Sequence, residues 1–360
     1  MSVRLNYACP RLDPNMCYWC GGAYSSAFFA WEVDNKIYAL SNILDRPQLQ
    51  KSGKFEQIFV PSDISNNFNF AKLCDFILKK YKQKSIEIPW NFPAKFVQQL
   101  QKNKVQFTIN EGEFLPEREY KSAYEKQCIK NVCDAIGLMY QRVTEILRAS
   151  TISADKTLKY NGITVTSEFL KQEIFNVGLQ NHVIAEDTIV ACGEDSSQPH
   201  NQGSGPILAN EFIVVDIFPY SLETKYFGDL TRTFIKGTPS DAQYKLYTTV
   251  ERAQQLAIEN LSLGKTFFAV DEFVQKFFAD NGYKTEGESG YFHSLGHGLG
   301  LELHESPRFS HDVNIENDNV FTIEPGLYYP EIGGVRIEDD FAMTNGRAEM
   351  LSNVNVDWIL

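Results

Sequence analysis

Four carboxylates and one imidazole stand where divalent cations would explain them: Asp216, Asp229, His297, Glu324 and Glu338. Asp216 lies inside the apolar run Glu211-Phe212-Ile213-Val214-Val215-Asp216-Ile217. An ionised carboxylate in such a run is costly unless it is paired or bound to a metal. Asp229 opens the next strand-like run, Asp229 to Ile235, with Arg232 three residues on. For these two residues taken alone, a salt bridge is as good a reading as a metal site.

The later segments break that tie. In Phe292-His293-Ser294-Leu295-Gly296-His297-Gly298-Leu299-Gly300, one imidazole lies between glycines, which let backbone and ligand come close. His304-Glu305 follows seven residues after His297, and three of the chain's six histidines fall between 293 and 304. Thr322-Ile323-Glu324-Pro325-Gly326 and Gly334-Val335-Arg336-Ile337-Glu338-Asp339 each place a glutamate on a short apolar strand beside a turn. Four acids sharing an apolar site would force several of their number to protonate unless cations lay among them. Two divalent ions bring about four positive charges, and oxygen-rich coordination with one imidazole suits Mn²⁺, Co²⁺ or Fe²⁺, with Zn²⁺ also admissible.

The elements that would carry these residues can be read from periodicity. Strand-like Lys36–Ser41 and Phe55–Val60 alternate with helical spacing over Phe70–Lys80 and Ala94–Gln101, which predicts a layered α/β domain over residues 1–115. The polar, Gly- and Pro-containing stretch Asn110–Pro116 marks the boundary. From 116 to 360 the pattern is that of a second, α+β domain. Apolar residues from Ile129 to Leu147 recur at three- and four-residue steps and give one long amphipathic helix. A second helix is expected from about Thr166 to Val177 with Gly178 as its stop, followed by strand-like Asp187–Cys192. The segments 211–217 and 229–235 read as a hairpin. Ser240-Asp241-Ala242-Gln243 is a capping box opening another helix, Val270–Phe278 is a further helix, and the chain from Tyr291 to Leu360 reads as strands.

The 360 residues suffice for two domains, with 43% hydrophobic and 22% charged residues, as in ordinary globular chains. A formal charge of −12 argues against a nucleic-acid partner, whose backbone demands a positive face. The basic run Lys79–Lys84 reads as the end of a helix, where cations suit the dipole. No segment is long and apolar enough to span a bilayer, and Met1–Asn15 has no signal-peptide core, so a cytoplasmic location is expected. The seven scattered cysteines fit reduced thiols better than a disulfide framework. Cys17-Tyr18-Trp19-Cys20 has redox-motif spacing, which makes a thiol oxidoreductase a rival reading. Its turn-like setting, without a clear strand before it, favours an incidental pair.

Taken together, Asp216, Asp229, Gly296-His297-Gly298, His304-Glu305, Glu324-Pro325-Gly326 and Val335-Arg336-Ile337-Glu338 resemble the pita-bread metallopeptidases, which include methionine aminopeptidase, aminopeptidase P and prolidase. The likeness runs over about two-thirds of the chain, from Glu117 onward, in the family's motif order. The preceding α/β domain looks like that of the aminopeptidase P, prolidase and creatinase branch. The resemblance implies a two-metal peptidase that cleaves between a first residue and a following proline. Asp216 would chelate one metal, His297 and Glu324 the other, and Asp229 and Glu338 would bridge both. A water activated between the ions would attack the scissile carbonyl, with Glu324 shuttling its proton. His293 and His304 match the family's substrate-side histidines, and His200, in Gln198-Pro199-His200, matches one facing the scissile bond. Arg336 would orient the acids or bind the substrate's carboxylate end. Association into homodimers is also implied.

Asp216 and Asp229 are thirteen positions apart, two more than the common family spacing. A hairpin tip longer by two residues preserves the in-or-out alternation, so both acids still face one side. A non-catalytic binding protein on this scaffold would usually have lost metal ligands, and a creatinase-like hydrolase works without metal. All five ligands are present here, which favours the peptidase.

Overall fold

The computed structural model describes residues 3–22, 24–309 and 313–360, so the strand expectation across 291–360 has a short stretch, 310–312, outside the described residues. The chain divides into two compact units. One is Met1–Arg118 with Glu223–Lys225, and the other Glu119–Leu222 with Tyr226–Leu360.

In the first unit, six strands among the described residues form one sheet in the order Gln57–Phe59, Lys36–Leu40, Phe28–Val33, Val3–Ala8, Ile86–Pro89, Phe107–Asn110. Alternation along Phe28–Val33 builds two cores. Phe29, Trp31 and Val33 pack on the side of the helices Phe70–Lys80 and Ala94–Lys102, while Phe28 and Ala30 join Met16, Trp19 and Phe114 on the other. Asn69 caps the first of these helices by accepting from the Lys72 amide. Cys17 and Cys20 do not lie in a turn. A strand precedes them, and they sit on the helix Pro14–Cys20, capped by Asp13. Both thiols are buried, and burial pushes Cys17 up to about 11 and Cys20 further, the opposite of what an activated redox thiol requires.

The second unit is built from two helix pairs and antiparallel sheets. The long helix Ala123–Ala149 opens with a capping box in which Ser122 and Glu125 each accept from the other's amide. It buries Ile129, Val132, Ile136, Met139, Tyr140, Val143 and Leu147. The Tyr140 hydroxyl lies 2.7 Å from the Val215 carbonyl and 2.9 Å from that of Leu230, so this helix ties together both arms of the central hairpin. The helix Ser167–Gln180 runs past its expected end: Gly178 lies inside it, buried, where Met139 and Val183 crowd the space a Cβ would need. The helices Asp241–Asn260 and Phe267–Asp280 form the second pair, the first opened by the Ser240/Gln243 capping box. Phe212 and Ile235 of the hairpin share one core with both of them. No helix among the described residues is long and apolar enough to cross a membrane.

Candidate metal centre

The strands Phe212–Ile217 and Leu230–Ile235 pair antiparallel in a register that sets Asp216 opposite Thr231. Side chains alternate between faces, so Asp229, two residues before Thr231, shares the face of Asp216 despite the lengthened connection. Arg232 falls on the other face. It bonds Asp339 at 2.6 Å and the carbonyls of Thr231, Glu338 and Val354, and has no ion pair with Asp229. The salt-bridge reading of Asp229 and Arg232 is thereby corrected, because an offset of three within a strand puts the two side chains on opposite faces.

Three further strand ends converge on the same place. His297 begins the two-residue strand His297–Gly298, Glu324 follows the strand Val320–Ile323, and Glu338 sits between Gly333–Arg336 and Asp339–Thr344. Gly298 makes the approach feasible, since a Cβ there would run into the backbone at Ser306 and Pro307. The His297 Nε2 is 3.5 Å from Asp229 Oδ2 and 3.4 Å from Glu324 Oε1. One ligand-type atom from each of Asp229, His297 and Glu338 lies within 4.8 Å of the others. Asp216 and Glu324 line the same cavity, whose volume is about 410 Å³.

The electrostatics demand positive charge. Asp229 and Glu338 are nearly inaccessible. Burial first, and then the neighbouring acids, push both carboxyls well above the ordinary range. Burial also raises Asp216, although the Arg336 guanidinium opposes it. Asp216 Oδ1 and Asp229 Oδ1 are buried with no hydrogen-bond partner. Unsatisfied carboxylate oxygens facing a shared cavity, together with one imidazole, make a donor set that divalent cations fit.

Four residues that bear on this site escaped the sequence reading. The Thr231 hydroxyl donates to Glu338 at 2.7 Å and fixes its rotamer. The Glu324 carboxylate lies 3.3 Å from the hydroxyl of Thr322, which also accepts the His297 amide at 3.1 Å. Asp340 is fully buried, accepts the Asp229 amide at 3.0 Å and is pushed up to about 7, chiefly by burial. The Tyr328 hydroxyl lies 2.9 Å from His293 Nε2 and accepts Arg336 Nη1 at 2.9 Å. A further acid two positions after Glu338, Asp340, was the one signal available in the sequence.

The remaining expected residues surround the acids. His200, His293, His304 and Arg336 all line the cavity. His293 is held by contacts on both ring nitrogens, and burial lowers its pKa. The His304 ring stands 4.3 Å from that of His297, and burial, then His297, lowers it to about 4, so it is neutral at physiological pH. Arg336 spends its guanidinium on protein oxygens: Nε on Thr231, Nη1 on Tyr328, and Nη2 on Asp216 at 2.6 Å. Those bonds favour the role of orienting the acids over that of binding a substrate carboxylate.

Residues 127–345 match the model of metallopeptidase family M24. The Xaa-Pro dipeptidase of Pyrococcus horikoshii is 31% identical over 325 residues, which is 87% of this chain and 84% of that protein. The crystal structure of the prolidase from Pyrococcus horikoshii OT3 superposes with a TM-score of 0.78 at 25% identity, over 100% of this chain and 96% of that one. The X-Pro aminopeptidase of Thermotoga maritima shares the fold, with a TM-score of 0.82 at 23% identity over 100% and 98% of the two chains.

Proposed function

The chain belongs to metallopeptidase family M24, and from that premise we propose that it hydrolyses the bond between an N-terminal residue and a following proline. It is a metallopeptidase with an α/β N-terminal domain and a pita-bread catalytic domain. The observation that carries the finer reading is the convergence of Asp216, Asp229, His297, Glu324 and Glu338 on one cavity with His200, His293 and His304 at its walls. Asp216, Asp229, His297, Glu324 and Glu338 would hold two divalent cations, with Mn²⁺ the proposed species. Bound there, the cations would supply Lewis acidity and lower the pKa of the attacking water.

The protein's own groups do the rest. Glu324, only half-buried, takes the proton from the attacking water and hands it to the leaving prolyl nitrogen. The neutral His304 offers an N–H donor to the developing oxyanion, while His293, whose ring nitrogens meet the Ser294 carbonyl and the Tyr328 hydroxyl, lines the prolyl side. Arg336 keeps Asp216 aimed into the cavity.

The second arginine lining the cavity among the described residues is Arg308, directly opposite His297 in strand register. With Arg336 engaged by Asp216, Arg308 is the cation placed to receive the free carboxylate of a C-terminal proline. This favours Xaa-Pro dipeptides over longer substrates. Comparing Xaa-Pro dipeptides with Xaa-Pro-Yaa tripeptides under added Mn²⁺ tests both claims. Dipeptides should be cut faster, and Arg308→Ala should raise KM for them by about tenfold with kcat little changed. Equal rates on both panels would remove the carboxylate role. Cleavage of neither would remove the Xaa-Pro reading and favour a creatinase-like or non-catalytic relative.

A homodimer formed through the N-terminal unit is also proposed. The strands Val3–Ala8, Lys36–Leu40 and Ile86–Pro89 run in one direction, so their following loops share one end of the sheet. Those loops carry Leu12, Ile43, Leu44 and Trp90, each more than 70% exposed. Such a concentration of open apolar surface calls for a cover. Light scattering should return twice 41.0 kDa, and a uniform 41.0 kDa species would exclude the dimer. The cytoplasm is the proposed compartment, since all seven cysteines are free.

A further inference from the structure

We propose that the buried ion pair Lys121–Glu305 is a positioning device that sets His304 over the catalytic cavity, an inference that rests on the substrate-side role given to His304. The Lys121 Nζ lies 2.8 Å from Glu305 Oε1, with the two side chains 1% and 4% exposed. Lys121 is among the largest fully buried side chains of the protein. Removing both charges from water is expensive, and apolar residues of similar volume often fill such a space at no loss of stability. Their presence therefore needs a reason other than stability, and the geometry around them supplies it.

The pair reaches both flanks of the loop that carries His304. Lys121 Nζ also reaches the Ser306 carbonyl at 3.4 Å, and Glu305 Oε2 accepts the Glu302 amide at 3.1 Å. One ammonium thus holds the residue after Glu305, and one carboxylate holds the turn before His304. Gly300, at the base of the loop, packs straight onto the pair, since a Cβ there would collide with the Glu305 carboxylate and come within 3.1 Å of Lys121 Cε. The Gly300 carbonyl accepts the Phe227 amide at 2.8 Å. Glu305 itself lies opposite Gly298 in strand register, beside His297. Lys121 is anchored in turn through its backbone amide, which donates to the Asp318 carbonyl at 2.8 Å. The loop is therefore clamped from below on both sides of His304, whose own side chain is exposed to the cavity and makes a ring contact with His297. An imidazole at a cavity wall has several rotamers and loop positions open to it. Fixing the backbone on either side restricts them, and misplacement by about 1 Å can cost as much as 100-fold in rate.

The test is a neutral, near-isosteric replacement, Lys121→Met with Glu305→Gln, which keeps an acceptor for the Glu302 amide. It is made both in the wild type and in His304→Ala. In the wild type, kcat on an Xaa-Pro dipeptide should fall about tenfold, with KM within about twofold and metal content by elemental analysis unchanged. In the His304→Ala background the same replacement should change kcat by less than about twofold, because the group it positions is gone. An equal fractional loss in both backgrounds, or an unchanged kcat in the wild type, would overturn the inference. If His304→Ala alone leaves kcat intact, it is the role of His304 that fails instead. Should the double replacement not fold by circular dichroism, Lys121→Arg, which keeps the charge but changes its reach and shape, carries the same two-background comparison.

Discussion

Replacing Glu338 by alanine should lower turnover by roughly 10³-fold or more and strip divalent metal from the protein in the same step. Residues that only orient a metal ligand typically cost 10- to about 100-fold in affinity or activity when removed, so a residue in the proposed role of a ligand itself should cost more. Glu338 is 2% exposed, is aimed by the Thr231 hydroxyl, and lies within 4.8 Å of donor atoms of Asp229 and His297. Its loss would leave the proposed cations one anionic donor short. Elemental analysis beside steady-state kinetics decides the matter. A Glu338→Ala protein retaining full metal and wild-type turnover would remove Glu338 from the site, whatever the substrate. Because the Arg232 guanidinium contacts the Glu338 carbonyl and not its side chain, the substitution should leave the adjoining strands paired. Circular dichroism should be unchanged.

Chelation should make the protein's stability fall as pH rises. Asp229 and Glu338 are held well above the ordinary carboxyl range in the cation-free fold, Asp216 is raised in the same sense, and Asp340 is pushed up to about 7. Burial leads in each case, with neighbouring acids adding to it for Asp229 and Glu338. A group whose folded pKa exceeds its unfolded value contributes its stability at low pH, and that contribution disappears as pH rises through the folded pKa. The unfolded values lie near 4, so the loss begins above about pH 4 and is advanced by pH 8. Cations reverse this, since they bind the deprotonated acids and only in the folded state. At roughly 100 times Kd, the linkage gives about 2.7 kcal/mol, or a Tm gap of about 5–10 °C at pH 8 that closes toward pH 5. Scanning calorimetry of chelated and Mn²⁺-loaded protein across that range measures it. Parallel Tm curves would contradict the crowding of acids on which the whole site depends.

Much of this site was legible in the sequence because charge in an apolar run has few explanations. Asp216 within Phe212–Ile217 announces a buried carboxylate, and Glu324 after Val320–Ile323 a partly buried one, from their neighbours alone. The parity of strand positions then places Asp216 and Asp229 on one face even across a lengthened hairpin. Helix starts were equally local. The Ser240/Gln243 box satisfies amides within a single turn, so no distant residue is needed to read it.

What the sequence left open was the choice of partner. Arg232 and Arg336 have the same side chain and lie near acids in the chain, yet one bonds Asp339 on the far face and the other Asp216, 120 residues away. Tyr328, Asp340 and Lys121 gain their meaning from neighbours that chain folding alone brings to them. Cys17 and Cys20 looked reactive by spacing and are inert by burial. The physical reason is common to all of these. Periodicity and local polarity say which face of an element a residue occupies, and hence whether a charge is buried. Which opposite charge, hydroxyl or amide meets it depends on how sheets and helices stack, and that is settled only when the whole core closes.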